Sequence, residues 1–116
     1  MAAPDPRRFD DLFGDFGTVA LRRLFSGEGI YADGRIIGVV IEDRIYLKTD
    51  EATRPAFTAE RCRRFYFRKD GKRIASSYYA IPERLYDDPA ELAQWARQAL
   101  HVACAAPKKK PRSGSG

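Results

Sequence analysis

Residues 29–48, GIYADGRIIGVVIEDRIYLK, constrain the fold more than any other part of the chain. They read as three short strands with two tight turns between them, at Asp33-Gly34 and Glu42-Asp43. Asp-Gly between apolar runs is a strong hairpin signal. Both central residues of a type I′ turn need positive φ, and these two residue types tolerate it best. The middle run, residues 36–41, is apolar at odd and even positions alike. Such a strand is expected at the centre of a sheet, covered on both sides by helices or by a second subunit.

The flanking sequence supplies the rest of an α+β domain. Asp5-Pro6 reads as an N-cap followed by proline at the first helical position, and Phe9, Leu12, Phe13 and Phe16 then fall on one face of an N-terminal helix. Residues 19–25 read as a strand, followed by a turn or bulge at Ser26-Gly27-Glu28-Gly29. A short middle helix is expected over 53–61, capped by Asp50 or Thr53, with Thr53 favoured because Pro55 must lie in the first turn; Ala56 and Phe57 face inward. A second hairpin is expected around Asp70-Gly71, with strands over 65–68 and 73–79. Residues 81–85 read as one helical turn. Asp88-Pro89-Ala90-Glu91 then forms a capping box that opens a long C-terminal helix ending near Ala105, with Leu92, Trp95, Ala96, Ala99 and Ala103 on one face and Trp95 laid on the sheet. The expected architecture is thus an antiparallel sheet of five to six strands with three helices. Residues 1–6 form a disordered N-terminus, 7–106 the domain and 107–116 a flexible basic tail.

Charge and special residues narrow the function. The net charge of +5 lies mostly in Lys108, Lys109, Lys110 and Arg112, which leaves +1 for residues 1–106. The folded body therefore reads as nearly neutral. Cys62 and Cys104 have no metal-ligand spacing and are expected to be buried free thiols. His101, the only histidine, is expected on the exposed side of the last helix. Ser76-Ser77 lies in a strand without a nucleophile elbow. The carboxylate pairs Glu42-Asp43 and Asp87-Asp88 are explained by turn and cap duty. No set of groups can be assigned catalytic roles, so neither an enzyme nor a cofactor or metal site is expected. No apolar run is long enough to cross a membrane and no secretory leader is evident, so the expected place is the cytoplasm.

Several ordered segments resemble the N-terminal domain of the TfoX/Sxy family of bacterial competence regulators. Residues 22–31, RRLFSGEGIY, resemble the family's RRMFGGxGxY segment, and Asp33-Gly34 follows as expected. Leu47-Lys48-Thr49-Asp50-Glu51 resembles LKxDE. Phe57, Gly71-Lys72 and residues 77–82, SYYAIP, resemble the region GK…SYYxxP, and Asp87-Asp88-Pro89 with Leu92 and Trp95-Ala96 resembles DDPxxLxxWA. The resemblance covers roughly residues 8–105, in a stand-alone form. It implies an α+β domain that is not catalytic and that regulates genes for DNA uptake together with the cyclic-AMP receptor protein.

The expected function is accordingly a non-enzymatic regulatory module that contacts a protein partner, which the resemblance implies to be the transcription machinery or the cyclic-AMP receptor protein. Tyr31, Tyr46 and Tyr78 are the contact residues expected from the enrichment of tyrosine at interfaces. A homodimer through an uncovered sheet face is a further arrangement that the two-sided apolar strand suggests. The alternative is an accessory protein that binds nucleic acid weakly through Arg61, Arg63 and Arg64 and through Lys108, Lys109, Lys110 and Arg112. Aromatic residues on the second hairpin suit a stacking platform or a core, with the core favoured for want of an RNP-like motif.

Overall fold

A computed structural model of the chain describes residues 9–24 and 27–105. Six antiparallel strands form one sheet: β1 (Ala20–Leu24), β2 (Gly27–Ala32), β3 (Arg35–Ile41), β4 (Arg44–Lys48), β5 (Arg64–Lys69) and β6 (Lys72–Ala80). Their order is β1-β2-β3-β4-β6-β5, so a short helix, α1 (Arg54–Ala59), carries the chain past the slot that β6 fills. A 3₁₀ turn (Glu83–Asp87) then leads into the long helix α2 (Pro89–Ala105). Asp33-Gly34, Glu42-Asp43 and Asp70-Gly71 all adopt positive φ, as type I′ turns require.

All the described helical pieces lie on one face of the sheet. Ile30, Ile37, Val40, Ile45, Leu47 and Tyr79 from the strands share one core with Phe57 of α1, Leu85 of the 3₁₀ turn, and Leu92, Ala96, Ala99 and Ala103 of α2. A register shift between Ile30 and Tyr31 inserts an extra residue in β3. This bulge resets the alternation, so that Ile37 and Val40, an odd and an even position, both reach the core. The two-sided apolar pattern of β3 has that cause. Among the described residues no helix covers the opposite face, where Val39 is shielded by its neighbours on the sheet, Tyr46 being its direct cross-strand partner.

Several expectations need correction. Among the described residues no N-terminal helix is seen: residues 9–16 form turns, tied by Phe13 N to Phe9 O at 3.0 Å and Gly17 N to Phe13 O at 2.8 Å. Gly14 and three aspartates are poor helix formers. Phe13 is nonetheless fully buried. Gly27, Glu28 and Gly29 belong to β2 and form no loop. The middle helix is shorter than expected, and its N-cap residue is Thr53, the favoured candidate. The Asp50 carboxylate accepts from the N–H groups of Ala52 and Thr53 at 3.0 and 2.9 Å, while the Thr53 side chain makes no cap bond to the helix. Those backbone donors hold the Asp50 carboxyl below the usual carboxylate range. Ala56 is exposed and only Phe57 points inward. Asp88 caps α2 through Glu91 N at 3.1 Å, but the Asp88 N–H goes to Leu85 O, so the box does not close. Trp95 is partly buried and stands edge-on to Phe57 at 4.8 Å, with no place in the fully buried core. Cys104 is exposed and Cys62 only partly buried, against the expectation of two buried thiols. The disordered N-terminus, the Asp5-Pro6 cap and the basic tail lie outside the described residues.

Candidate functional site

The open face of the sheet gathers the three tyrosines. In the antiparallel ladder, Tyr31 lies opposite Ile36, Tyr46 lies between Val39 and Ala80, and Tyr78 lies opposite Lys48. Residues paired across strands share a face, so all three rings project away from α2. Each is partly exposed. Gly29 makes room for this arrangement, because a Cβ there would come within 2.9 Å of the Tyr31 ring. Tyr46 packs against Phe65 with ring centroids 5.4 Å apart.

Cations lie over two of the rings. The Arg22 guanidinium is 5.4 Å from the Tyr31 centroid, and the Lys48 ammonium is 5.6 Å from that of Tyr78. Burial pushes the Tyr78 hydroxyl above the usual phenol range, and the nearby Tyr31 hydroxyl adds to the effect. From β1 to β4 and at the end of β6, no strand position on this face carries a carboxylate; Glu28, paired with Val40, belongs to the other side. The face presents phenols, aliphatic side chains and positive charge.

Arg61, Arg63 and Arg64 do not act as one cluster. Arg64 Nε donates to Ser76 O at 2.7 Å, and its guanidinium lies 5.5 Å from the Tyr79 centroid. Arg61 and Arg63 are exposed, Arg61 at a positive φ of 58°. Lys108, Lys109, Lys110 and Arg112 lie outside the described residues. Cys62 sits between the arginines, and burial, with help from Glu60, pushes its thiol up to about 11.

A second set of groups escaped the sequence reading. The paired ends of β5 and β6 carry Arg68 and Lys69 on one strand and Lys72 and Arg73 on the other, beside exposed Tyr66 and Phe67. The signal was available: counting outward from Asp70-Gly71 pairs Lys69 with Lys72 and Arg68 with Arg73, which is the observed register. The near-neutral sum of residues 1–106 concealed this local excess.

Behind the sheet, Arg84 joins α1, the 3₁₀ turn and α2. It donates to Glu60 at 3.1 Å and to both carboxylate oxygens of Glu91 at 2.8 and 3.0 Å. Glu91 also accepts from Trp95 Nε1 at 3.1 Å. These donors hold the Glu91 carboxyl below its usual range, Arg84 contributing most. Each charge in this network answers another, which is a structural arrangement.

Comparison with curated proteins finds no match. A family model described as the TfoX N-terminal domain matches residues 11–103, a span that takes in β1 to β6, α1, the 3₁₀ turn and all but the last two residues of α2. The chain belongs to the TfoX N-terminal domain family.

Proposed function

We propose that the chain is a non-enzymatic, cytoplasmic regulatory module that works by protein contact in the control of competence genes. Family membership supports a competence-related regulatory domain at the level of the family. One observation carries the finer reading: Tyr31, Tyr46 and Tyr78 share an open sheet face whose charged strand positions are all cationic. Partly exposed tyrosines supply rigid contact area with a polar tip, and flanking cations select an acidic partner. The clefts support the same reading. One of about 570 Å³ beside β1 is lined, among the described residues, by a single titratable group, Asp10. Another of about 300 Å³ is lined by Glu42, Asp43, Arg44, Glu83 and Tyr86, and there Arg44 is paired with Glu83 at 2.9 Å.

The partner proposed first is the cyclic-AMP receptor protein, then RNA polymerase. The test is biolayer interferometry of each purified partner against the full chain and against an Arg22→Glu, Lys48→Glu variant. Binding by the native chain, weakened at least about tenfold by the reversal, is expected, because juxtaposed like charges oppose association. Binding that is indifferent to the reversal would remove the open face from the account. Self-association through this face would appear as a dimeric mass in solution, and a monomeric mass would exclude it. The nucleic-acid alternative through Arg61, Arg63 and Arg64 has less beneath it, since Arg64 is engaged within the fold.

A further inference from the structure

The distal half of the β5–β6 hairpin stands clear of the sheet. β4 pairs with β6 only from Tyr78 to Ala80, and the pairings of Tyr66, Phe67, Arg68 and Lys69 are made to β6 alone. Below them the ladder is irregular between Arg64 and Tyr66. Apart from the partly buried Ile74, every residue from Tyr66 to Ala75 is exposed. The result is a two-stranded arm with solvent on both faces.

This arm is built against its own stability. Arg68 lies directly opposite Arg73, and Lys69 directly opposite Lys72. Like charges in direct cross-strand register repel. Asp70 at the turn is the arm's only carboxylate, and among the described residues none of the four cations joins an ion pair. An exposed edge is commonly blunted by a charged side chain. Two like-charge pairs in consecutive register go further, and an anion from outside would relieve their repulsion.

We infer that this arm is a contact for duplex DNA, held between phosphates by Arg68, Lys69, Lys72 and Arg73. The distribution of charge selects the partner. Adjacent strand residues point to opposite faces, so the arginine pair lies on one side of the ribbon and the lysine pair on the other. A flat acidic surface meets only one side, whereas a groove has a phosphate wall on each. A ribbon with side chains on both faces is about 10 Å thick, the spacing of stacked sheets. The major groove of B-DNA, about 12 Å wide, admits a two-stranded ribbon. Single strands suit the arm less well. Tyr66 and Phe67 are neighbours and therefore face opposite ways, and Arg73 already lies 4.0 Å from the Tyr66 centroid, so successive bases have no common platform.

The test is fluorescence anisotropy of a labelled mixed-sequence DNA duplex with the full chain across a salt series. Comparison variants replace Arg68, Lys69, Lys72 and Arg73 with Gln, only Lys69 and Lys72 with Gln, or the four tail cations with Gln. If all four arm cations meet phosphates, the first variant lowers the log–log salt slope by about 3.6, and the lysine pair alone lowers it by about 1.8. The lysine-pair variant keeps the test decisive should the fourfold variant fail to fold, which circular dichroism reports. The arm's share of the affinity should fall about 10²-fold between about 50 and 200 mM salt. The tail variant should keep the arm's slope. A slope unchanged in the lysine-pair variant overturns the proposal. So does binding of duplex RNA or polyglutamate as tightly as duplex DNA, because the deep, narrow major groove of RNA does not admit the ribbon.

Discussion

Two hairpins of this sheet close on the same turn chemistry. Asp33-Gly34 joins β2 to β3, Asp70-Gly71 joins β5 to β6, and all four residues take positive φ. Beyond the turns they diverge. The first hairpin buries Ile30, Ile37 and Val40 against the helices, and its outer face carries Tyr31. The second leaves Tyr66 and Phe67 40% and 41% exposed and sets cation against cation in its ladder. Turn residues decide that a hairpin forms. Burial decides whether its side chains hold the fold together or remain free for another molecule.

The largest test of this contrast compares one residue from each region. Leu47→Ala empties a fully buried position and should cost about 2–5 kcal/mol. Phe67→Ser in the arm should stay within about 0.5 kcal/mol, as exposed substitutions do. Urea denaturation measures both, and equal losses would erase the distinction between platform and arm. Next in size is the cap of the helix that backs the platform. Asp88→Ala removes the bond to Glu91 N and should cost about 1 kcal/mol by the same method. The smallest effect is pH dependence behind the sheet. The Glu91 carboxyl is held below its usual range, so its contribution is fully present above the unfolded value, about 4.3, and fades as pH falls through the lower folded value. Replacing Glu91 with Gln should flatten the acid limb of a melting-temperature profile. An identical limb in both proteins would place the acid sensitivity elsewhere.

Much of the platform was legible because its signals are local. Three Asp-containing turns, the apolar runs between them and the proline after Asp88 each dictate a conformation within a few residues. The N-terminal helix failed on the same terms. The Phe9, Leu12, Phe13 and Phe16 spacing does mark a buried side, since Phe13 is in the core, but packing rather than helicity holds it there. Glu91 likewise satisfied a capping box on paper and instead met Arg84, a partner that only the fold brings near. The three tyrosines could be named from the sequence, whereas their common face depends on the β4–β6 pairing that skips β5. The arm was readable by counting out from Asp70-Gly71. A net charge summed over the domain hid it, because repulsion acts between neighbours.

The central claim is that the arm keeps opposed like charges at a cost to the fold. The most direct measurement is the melting temperature of Arg68→Glu beside the native chain in low salt. The substitution sets a carboxylate opposite Arg73. Removing one cross-strand repulsion is worth roughly 0.2–1 kcal/mol, which in a domain this small raises the melting temperature by roughly 1–8 °C. A rise that fades in high salt is the predicted result. An unchanged or lower melting temperature would mean that the arm's charges cost the fold nothing, and the contrast between platform and arm would lose its physical basis.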